Sequence, residues 1–424
     1  MRPTLFHIPL ADPGLMLGLW AFFSVATLLY QVRKHGLGRE ALAYVPLLLL
    51  IGGVVAFVLP AIADPQGLPI RGYGVMLLLG VVAGLSLTLV RARRRGLDLE
   101  IINNLAFWLF LGGIVGARLF YIIEYREQYY RDSIGQTLLA MINLSQGGLV
   151  VYGSVFGGGL AVMLFVRKYK VPGLALTDLI APAVLLGVSL GRIGCFLNGC
   201  CYGGVCDLPW AVQFPWRSPP HVRQAELEMI YLHGLKLKAG PAAAPLVDAV
   251  QPGSEASRAG LKPGMRIEEI NGIHVADAEQ ARLLLLETYG AGHRLSIVAG
   301  SDPRPRQWLL TGPDEASLPV HPAQLYSSLD GLLICLFLLA WDPFRRRDGE
   351  LLAWTATIYP ITRFLMEIIR TDEPAVLSTG LTISQNISLA ILLGAGIFWV
   401  YLRRQPPGVA WPVHDHRPAI QPAT

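Results

Sequence analysis

Long apolar segments constrain this chain more than any other feature of its sequence. Each is close to the roughly 20 residues that an α-helix needs to cross the hydrocarbon core of a bilayer. Helix is the expected form, because it satisfies the backbone groups of such a segment internally. Only 15% of the 424 residues are charged, whereas soluble domains carry about 25%. We therefore predict a polytopic α-helical membrane protein with about nine spans, at about residues 13–32, 42–62, 71–90, 101–124, 147–166, 174–198, 323–342, 351–370 and 383–402.

Basic residues follow every second apolar segment, and the short loops between them are poor in lysine and arginine. The basic residues are Arg33, Lys34, Arg39, Arg91, Arg93, Arg94, Arg95, Arg167, Lys168, Lys170, Arg345, Arg346, Arg347, Arg403 and Arg404. Short loops of this kind stay in the cytoplasm. We therefore expect the N-terminus and residues of about 199–322 outside, and the C-terminus in the cytoplasm. The proline-rich end, residues 405–424, is predicted to be a disordered cytoplasmic tail.

Residues of about 240–315 differ in composition from their surroundings. Short β-branched segments at 247–250 and 267–270 are separated by Pro-Gly and Asn-Gly dipeptides, a pattern typical of strands joined by tight turns. A helix at 278–286 and strands at 294–299 and 307–310 are also predicted. The motifs that carry a resemblance to bacterial PDZ domains are Ala259-Gly260-Leu261, Pro263-Gly264 and Ile270-Asn271-Gly272.

The resemblance implies a small β-rich PDZ-like domain on the outer face. PDZ domains bind an extended peptide by adding it as a strand to a sheet edge, so a peptide ligand is expected. Two alternatives remain: another small β-rich fold, and an insert that is purely structural. No basic segment interleaved with aromatic residues points to a nucleic-acid partner.

Ionisable residues within spanning segments are costly and usually functional. Arg363 and Glu367 are four residues apart and therefore share one helix face, either as a structural ion pair or as part of a site. Arg192 lies among glycines that permit close backbone approach, a setting that suits a phosphate group. Tyr73 and Tyr152 belong near the outer interface, where tyrosines also serve only as belt residues. The glycines at 157–159 favour tight helix packing.

Four of the five cysteines, Cys195, Cys200, Cys201 and Cys206, lie at the outer end of the sixth apolar segment. Three interpretations compete: disulfides in an oxidising exterior, free thiols in a polar site, and a metal or redox centre. The C-x4-C-C-x4-C spacing is not a usual zinc pattern. No metal and no cofactor are therefore expected. Cys335 is mid-span and is predicted to be a packing residue.

From about Ile70 to Tyr401, the chain resembles the bacterial phosphatidylglycerol–prolipoprotein diacylglyceryl transferases. The matching motifs are Arg71-Gly-Tyr-Gly74, Gly116-Ala-Arg-Leu-Phe-Tyr121, Gly147-Gly-Leu-Val-Val-Tyr-Gly153, Ala175-Leu-Thr-Asp-Leu-Ile-Ala-Pro182, Gly191-Arg-Ile-Gly194 with Asn198-Gly199 and Gly203, His321-Pro-Ala-Gln-Leu-Tyr326 and Tyr359-Pro-Ile-Thr-Arg-Phe-Leu-Met-Glu-Ile-Ile-Arg370. Family members have seven spans, so the first two spans and the insert are additions. The implied organisation is two extra helices at 1–66, a transferase domain at 67–235 and 319–404 interrupted by the insert at 236–318, and the tail at 405–424.

The resemblance implies an enzyme of the bacterial inner membrane. It would move the diacylglyceryl group of phosphatidylglycerol to the lipobox cysteine of a prolipoprotein signal peptide as a thioether. The residues implied as catalytic are Arg192, Arg363 and Tyr152. Those implied to bind substrate are Tyr73, Arg118, Asn198, Gly203, His321, Gln324, Tyr359 and Glu367.

Three positions depart from the family pattern. Family members often carry histidine where Tyr152 stands, usually asparagine at Cys195 and often glutamate at Cys200. Tyrosine, with a reference pKa of about 10, is a weaker base at neutral pH than histidine, at about 6.5. Two alternatives to the transferase therefore remain: a membrane scaffold that has lost catalysis, and a membrane thiol–redox protein that uses the cysteine cluster.

Overall fold

The structure is a computed structural model. It describes residues 4–9, 12–35, 48, 51–64, 66–129, 133–142, 148, 150–290, 292–300, 302–310, 316–370, 375–376 and 380–411. Gly147, part of the predicted fifth span and residues 412–424 lie outside this set. The side chain of Tyr152 lies outside it as well.

Helices dominate the chain. We label them α1 (Pro13–His35), α2 (Gly72–Arg94), α3 (Leu99–Glu124), α4 (Ile134–Ile142), α5 (Val151–Tyr169), α6 (Gly173–Asn198), α7 (Pro219–Glu226), α8 (Ala278–Glu287), α9 (Ala323–Trp341), α10 (Glu350–Ile369) and α11 (Ile383–Arg404). Among the described residues, five helices are long and apolar enough to span a membrane: α2, α3, α6, α9 with its continuation to Phe344, and α11. The prediction of a polytopic helical membrane protein is therefore confirmed at this level.

Most predicted segments coincide with helices to within a few residues. The second predicted span lies partly outside the described residues, and its described part holds a π-helical turn (Val54–Val58) and a short α-helix (Leu59–Ile62). Helices α4 and α7 were not predicted. Helix α7 has only eight residues and a polar composition, and its start carries Pro219 and Pro220, which suit a first helical turn.

The chain divides into two compact units. Unit 1 holds Val188–Leu332 and Thr357–Gly394, and unit 2 holds Thr4–Gly187, Leu333–Ala356 and Ala395–Thr424. Four helices, α6, α9, α10 and α11, contribute residues to both units.

Unit 1 contains most of the β-structure. Strands β3 (Leu235–Ala239) and β4 (Pro245–Val250) pair antiparallel. A second, antiparallel sheet has the order β6 (Ile273–His274), β5 (Ile267–Ile270), β7 (Arg294–Ala299) and β8 (Asp302–Leu309). The strands and the helix predicted in this region are confirmed, although β8 starts earlier than expected. Asn271 and Gly272 join β5 to β6 with φ of 50° and 78°, as a two-residue hairpin turn requires.

One hydrophobic core unites this β-rich part of unit 1. Its fully buried members include Leu235, Val247, Ile267, Leu285 and Leu295. Four of its buried members precede the predicted boundary at 236, namely Ala225, Ile230, Leu232 and Leu235. The folded body therefore starts upstream of that boundary, because α7 and the loop after it cover one side of its core.

Unit 1 also has a short hairpin of β9 (Ala375–Val376) and β10 (Leu381–Thr382). In unit 2, β1 (Thr4–Ile8) pairs antiparallel with β2 (Leu68–Arg71), which leads directly into α2. The first turn of α2 thereby starts from a strand that is fixed by the N-terminal segment.

Helices α3 and α5 of unit 2 pack backbone against backbone. A Cβ atom built on Gly157 would lie less than 3.0 Å from the carbonyl oxygen of Gly112, and one on Gly116 equally close to that of Gly153. Only glycine permits this approach. The packing interpretation is confirmed for Gly157, whereas Gly159 has no neighbour within 4 Å of a built Cβ.

A buried charge network holds the α9–α10 connection of unit 2. Asp178 of α6 is 0% exposed and accepts hydrogen bonds from Gly349 N (2.8 Å), Leu352 N (3.0 Å) and Arg345 Nη1 (3.0 Å). Asp178 therefore caps the start of α10. Asp342 pairs with both Arg91, at 3.1 Å, and Arg95.

The segment that follows α11 is docked on this network. Arg345 Nη2 donates to Trp411 O (2.9 Å), Asp348 Oδ2 accepts from Ala410 N (2.9 Å), and Gly408 N donates to Arg346 O (2.9 Å). The predicted start of the disordered tail at residue 405 is therefore wrong for residues 405–411, since tertiary hydrogen bonds fix their backbone. The rest of the predicted tail lies outside the described residues.

Candidate active site

The signature segment of unit 1 begins on α6 and continues through a glycine-dependent helix end. Gly199, with φ of +81°, follows the last helical residue. Its N–H donates to Phe196 O (3.2 Å), and Cys200 N donates to Cys195 O (3.2 Å), the bonding pattern of a Schellman cap. The cap reverses the chain and returns residue 200 to the level of residue 195.

The segment after the cap is held by backbone contacts within unit 1. Gly203 N donates to His321 O (2.9 Å), and Gly204 N donates to Ile369 O (2.9 Å). Gln324, which is 0% exposed, donates from Nε2 to Cys200 O (2.7 Å). A Cβ on Gly203 would lie 2.6 Å from the Cβ of His321. Gly203, His321 and Gln324, all predicted to bind substrate, therefore have a direct structural role in positioning the signature segment.

Arg363 and Glu367 of α10 form the ion pair that their four-residue spacing predicts. Arg363 Nη2 also donates to Ser384 Oγ of α11 (3.0 Å), so the guanidinium links two helices. Glu367 is nearly inaccessible, with a side chain 1% exposed, and Arg370 Nη1 lies 3.9 Å from its Oε2. The carboxylate hydrogen-bonds to Arg363 and so fixes the orientation of that guanidinium. Arg370 lies at ion-pair distance from the same carboxylate.

Arg192 belongs to the same charged region of unit 1. Its guanidinium lies within electrostatic range of Tyr359, Cys201 and Arg370. Glu367 pairs with Arg363 and lies 3.9 Å from Arg370. Arg370 is in turn within electrostatic range of Arg192, so three guanidiniums share this region with one carboxylate. The remaining positive charge makes this region suited to a phosphate, which guanidinium groups bind in a bidentate manner.

Three of the cysteines come together. The Sγ atoms of Cys195, Cys200 and Cys201 lie within 4.8 Å of one another. All the cysteines carry free thiols in this structure, and the disulfide interpretation stays a prediction. The pKa of Cys201 is well below its ordinary value, because the neighbouring thiols of Cys195 and Cys200 stabilise its thiolate and because Arg192 and Arg370 lie near it.

The two remaining cysteines have separate positions. Cys206 is not part of this group of three, and its backbone N–H donates to Pro319 O (3.0 Å). Cys335 is buried, as the packing interpretation predicts. Asn198 is the last residue of α6 and is exposed.

The other predicted site residues belong to unit 2. Tyr73 lies in the first turn of α2 and is 40% exposed. Tyr152 lies in the first turn of α5, and its side chain is outside the described residues. The predicted roles of both tyrosines stay predictions.

Arg118 of α3 is buried and engaged with backbone carbonyls. Its guanidinium donates to Met141 O (2.7 Å), Ala140 O (3.1 Å) and Gly148 O (3.1 Å). It also lies over the rings of Tyr121 and Tyr129, 5.6 and 5.5 Å from their centroids. These contacts fasten α4 and the chain before α5 to α3, so Arg118 organises the backbone here.

A model of the prolipoprotein diacylglyceryl transferase family matches residues 60–401. The chain belongs to this family. A phosphatidylglycerol–prolipoprotein diacylglyceryl transferase of Rhodopirellula baltica is 33% identical over 455 residues, which cover 95% of this chain and 89% of that protein. One of Corynebacterium glutamicum strain ATCC 13032 is 27% identical over 349 residues (81% and 84%). One of Clostridium tetani is 38% identical over 156 residues (37% and 60%).

The alignment with the R. baltica protein also covers segments that we predicted to be additions to the transferase, namely the N-terminal helices and the β-rich body. Helix α1 lies outside the match to the family model. An alignment over 95% of the chain has to include most of the β-rich body as well. Within this transferase family, the R. baltica protein is therefore similar to this chain well beyond the motif-bearing helices.

Sequence reasoning missed two residues of the charged region. Arg370 stands three residues after Glu367, so the helical spacing that identified Arg363 would have identified Arg370 too. Ser384 carried no such signal. It is 21 residues from Arg363 in the chain, and only the packing of α11 on α10 brings it to the guanidinium.

Proposed function

We propose that this chain transfers the diacylglyceryl group of phosphatidylglycerol to the lipobox cysteine of prolipoproteins. The observation that carries the proposal is the gathering of three guanidiniums at the signature segment of a member of the transferase family: Arg363 and Arg370 on either side of Glu367, and Arg192 within electrostatic range of Arg370. The names of the related proteins supply the two substrates. The guanidiniums fit a lipid phosphate.

The reaction forms one bond and breaks one bond. The cysteine sulfur of the prolipoprotein bonds to the glyceryl carbon while the bond from that carbon to the phosphate oxygen breaks. Glycerol phosphate leaves with the bonding electron pair, and the thiol proton goes to a base. Negative charge accumulates on the departing phosphate, where fixed guanidiniums stabilise it in a water-poor site. Arg192 and Arg363 are assigned this role, and Glu367 and Ser384 hold Arg363 in position.

The remaining residues have supporting roles in the proposal. Tyr359 lies within range of Arg192 and is assigned to the lipid head group, together with Asn198. Tyr152 is assigned a hydrogen bond to the thiolate or the lipid, since a phenol is a weak base at neutral pH. Tyr73 and Arg118 keep the substrate-binding roles that the family resemblance implies.

A transfer assay tests this function. The purified protein is incubated with phosphatidylglycerol vesicles and a synthetic signal peptide that contains a lipobox cysteine. We expect equal amounts of glycerol phosphate and of peptide that has gained one diacylglyceryl group, and no product from a peptide with serine in place of the cysteine. Release of glycerol phosphate without modification of the peptide would contradict the transfer.

We further propose a location and a topology. The chain crosses the bacterial inner membrane about nine times, with its N-terminus and the β-rich body outside and its C-terminus in the cytoplasm. The alternation of basic loops along the sequence supports this arrangement. Labelling of single cysteines by a membrane-impermeant reagent tests it: a cysteine introduced at Glu279 of α8 should react in intact cells, and one at Arg94 should not.

The β-rich body of unit 1 is proposed to be a PDZ-like domain that binds an extended peptide, with segments of lipoprotein substrates as the ligand. Strand β3 supports the proposal, because it pairs with β4 on one side and α8 packs beside it. Strand β8 is less suited to strand addition, since Pro303 and Pro305 lack N–H groups. A peptide would therefore add to β3.

Site-specific crosslinking tests the peptide site. A photoreactive residue replaces Lys238 on β3 in one variant and Arg304 on β8 in the matched control. We expect lipoprotein adducts with the β3 variant in excess over the β8 variant. Equal labelling at the two strands would contradict strand addition to β3.

A further inference from the structure

The fold of the signature segment brings the thiol of Cys195 to those of Cys200 and Cys201, which stand five and six residues later in the sequence. The Schellman cap bonds Cys200 N to Cys195 O at 3.2 Å, which returns the chain by one turn. Cys201, the next residue, has a φ of +60°, so its side chain leaves the backbone in a direction that an extended chain would not give. The result is three Sγ atoms within 4.8 Å of one another.

This spacing matches the donor set of a thiolate-bound metal ion. Metal–sulfur distances of about 2.3 Å place the sulfur atoms of one site about 4 Å apart, so rotation of the three side chains closes the site. Thiolates select soft cations such as Cu(I) and Zn(II). Among the described residues, the group contains three cysteines and neither histidine nor carboxylate. Structural zinc sites are almost always four-coordinate, whereas three sulfurs complete the coordination of Cu(I).

The surroundings favour a negatively charged metal site. Three thiolates around Cu(I) leave an excess of negative charge, and the guanidiniums of Arg192 and Arg370 lie near Cys201. Gln324 gives a second observation. Its side chain is fully buried and anchors Cys200 O at 2.7 Å, and its Oε1 atom has no hydrogen-bond partner in the described part of the chain. The Gln324 side chain therefore fixes the backbone that carries Cys200.

We propose that Cys195, Cys200 and Cys201 form a binding site for one Cu(I) ion. No metal was expected from the cysteine spacing, although a metal or redox centre was one of the three interpretations; the helix cap favours that interpretation, because it returns Cys200 and Cys201 to Cys195. The site does not depend on the proposed transferase function, since binding requires only the thiols and their positions.

Competition with a chromogenic Cu(I) chelator tests the site. The full-length protein is purified under reducing conditions in detergent, and its free thiols are counted before titration. We expect one equivalent of Cu(I) bound, and a loss of affinity in Cys200→Ser and Cys201→Ser greater than the 10–100-fold that loss of an outer-shell partner costs. Cys206→Ser and Cys335→Ser, which change thiols outside the group, should bind as the unaltered protein does.

A second measurement uses only the unaltered protein and therefore does not depend on whether the variants fold. X-ray absorption of the copper-loaded, unaltered protein should give three sulfur neighbours and no nitrogen shell. Failure to bind Cu(I), equal loss of binding in the Cys206→Ser control, or tighter binding of Zn(II) than of Cu(I) would overturn the proposal. So would a disulfide among the three cysteines in protein isolated without reductant.

Discussion

Gly203 illustrates how a signature residue can act without touching substrate. Its backbone N–H binds His321 O, and a Cβ at this position would overlap the Cβ of His321. Gly191, in the same signature, has no neighbour within 4 Å of a built Cβ. The two glycines are therefore a matched pair, and sequence alone gives no basis for ranking them.

We expect Gly203→Ala to destabilise the protein by about 1–3 kcal/mol, the usual cost of overpacking, and to lower the transfer rate by displacing the signature segment. Gly191→Ala should leave the stability and the transfer rate near their original values. Thermal unfolding in detergent and the transfer assay check this prediction. Equal effects of the two substitutions would show that the contact with His321 is not what requires glycine.

Arg363 donates directed hydrogen bonds to Glu367 and to Ser384. Lysine keeps the charge and loses the planar fork that makes both bonds at once. Arg363→Lys should therefore lower kcat by about 10²-fold, in the range found when one stabilising donor is removed, with a smaller effect on KM. Ser384→Ala, which removes a partner and leaves the guanidinium, should lose much less. A kcat unchanged in Arg363→Lys would contradict a role in stabilising the leaving phosphate.

The residue scale also shows the limit of sequence reasoning. The spacing of Arg363 and Glu367 predicted their ion pair, because helical periodicity is local. The sequence placed four cysteines in one cluster, but it did not predict that Cys195, Cys200 and Cys201 would come together without Cys206, since this depends on the hydrogen bonds of a helix end and on a positive φ at Cys201.

At the scale of elements, the α3–α5 packing makes the sharpest prediction. Gly157→Ala places a methyl group against the backbone of Gly112, and backbone cannot move aside as a side chain can. Gly159→Ala, two residues along the same helix, meets open space. We expect a loss of about 1–3 kcal/mol for the first substitution and a negligible change for the second. Thermal unfolding of the two variants in one detergent checks this prediction. Equal unfolding temperatures would contradict close backbone packing at Gly157.

The C-terminal segment is the second element with a testable role. Trp411 packs against two apolar clusters of unit 2, which contain Leu105 and Leu179, and its carbonyl accepts from Arg345. Ending the chain after Arg404 removes these contacts and leaves the buried guanidinium with fewer acceptors. That truncation should lower the unfolding temperature, while ending the chain after Trp411 preserves every one of these bonds. Equal unfolding temperatures for the two truncations would contradict the docking.

Helix positions followed from sequence because length and hydropathy are properties of each segment alone. Helices α4 and α7 and the docked segment at 405–411 were missed, since each depends on contacts made elsewhere in the chain. Strand β5 was predicted correctly, because the Asn-Gly dipeptide that follows it specifies a hairpin locally. The upstream boundary of the β-rich body was not predicted, because its core also contains Ala225 and Ile230, which lie outside the PDZ-like motifs.

At the scale of the whole molecule, this transferase combines the family's helices with a β-rich body that has its own hydrophobic core. The alignment with the R. baltica protein covers nearly the full chain. We expect this combination to perform diacylglyceryl transfer, although tyrosine and cysteine occupy three positions where the family pattern has other residues.

Complementation of a strain that lacks diacylglyceryl transferase tests whether this chain performs the transfer. Bacteria depleted of their own diacylglyceryl transferase receive the unaltered chain, Arg192→Ala, or Cys206→Ser as a matched control in the same segment. We predict that the unaltered chain and Cys206→Ser restore growth and lipid modification of lipoproteins, while Arg192→Ala restores neither at equal membrane abundance. Rescue by Arg192→Ala, or absence of rescue by the unaltered chain at normal abundance, would contradict the account.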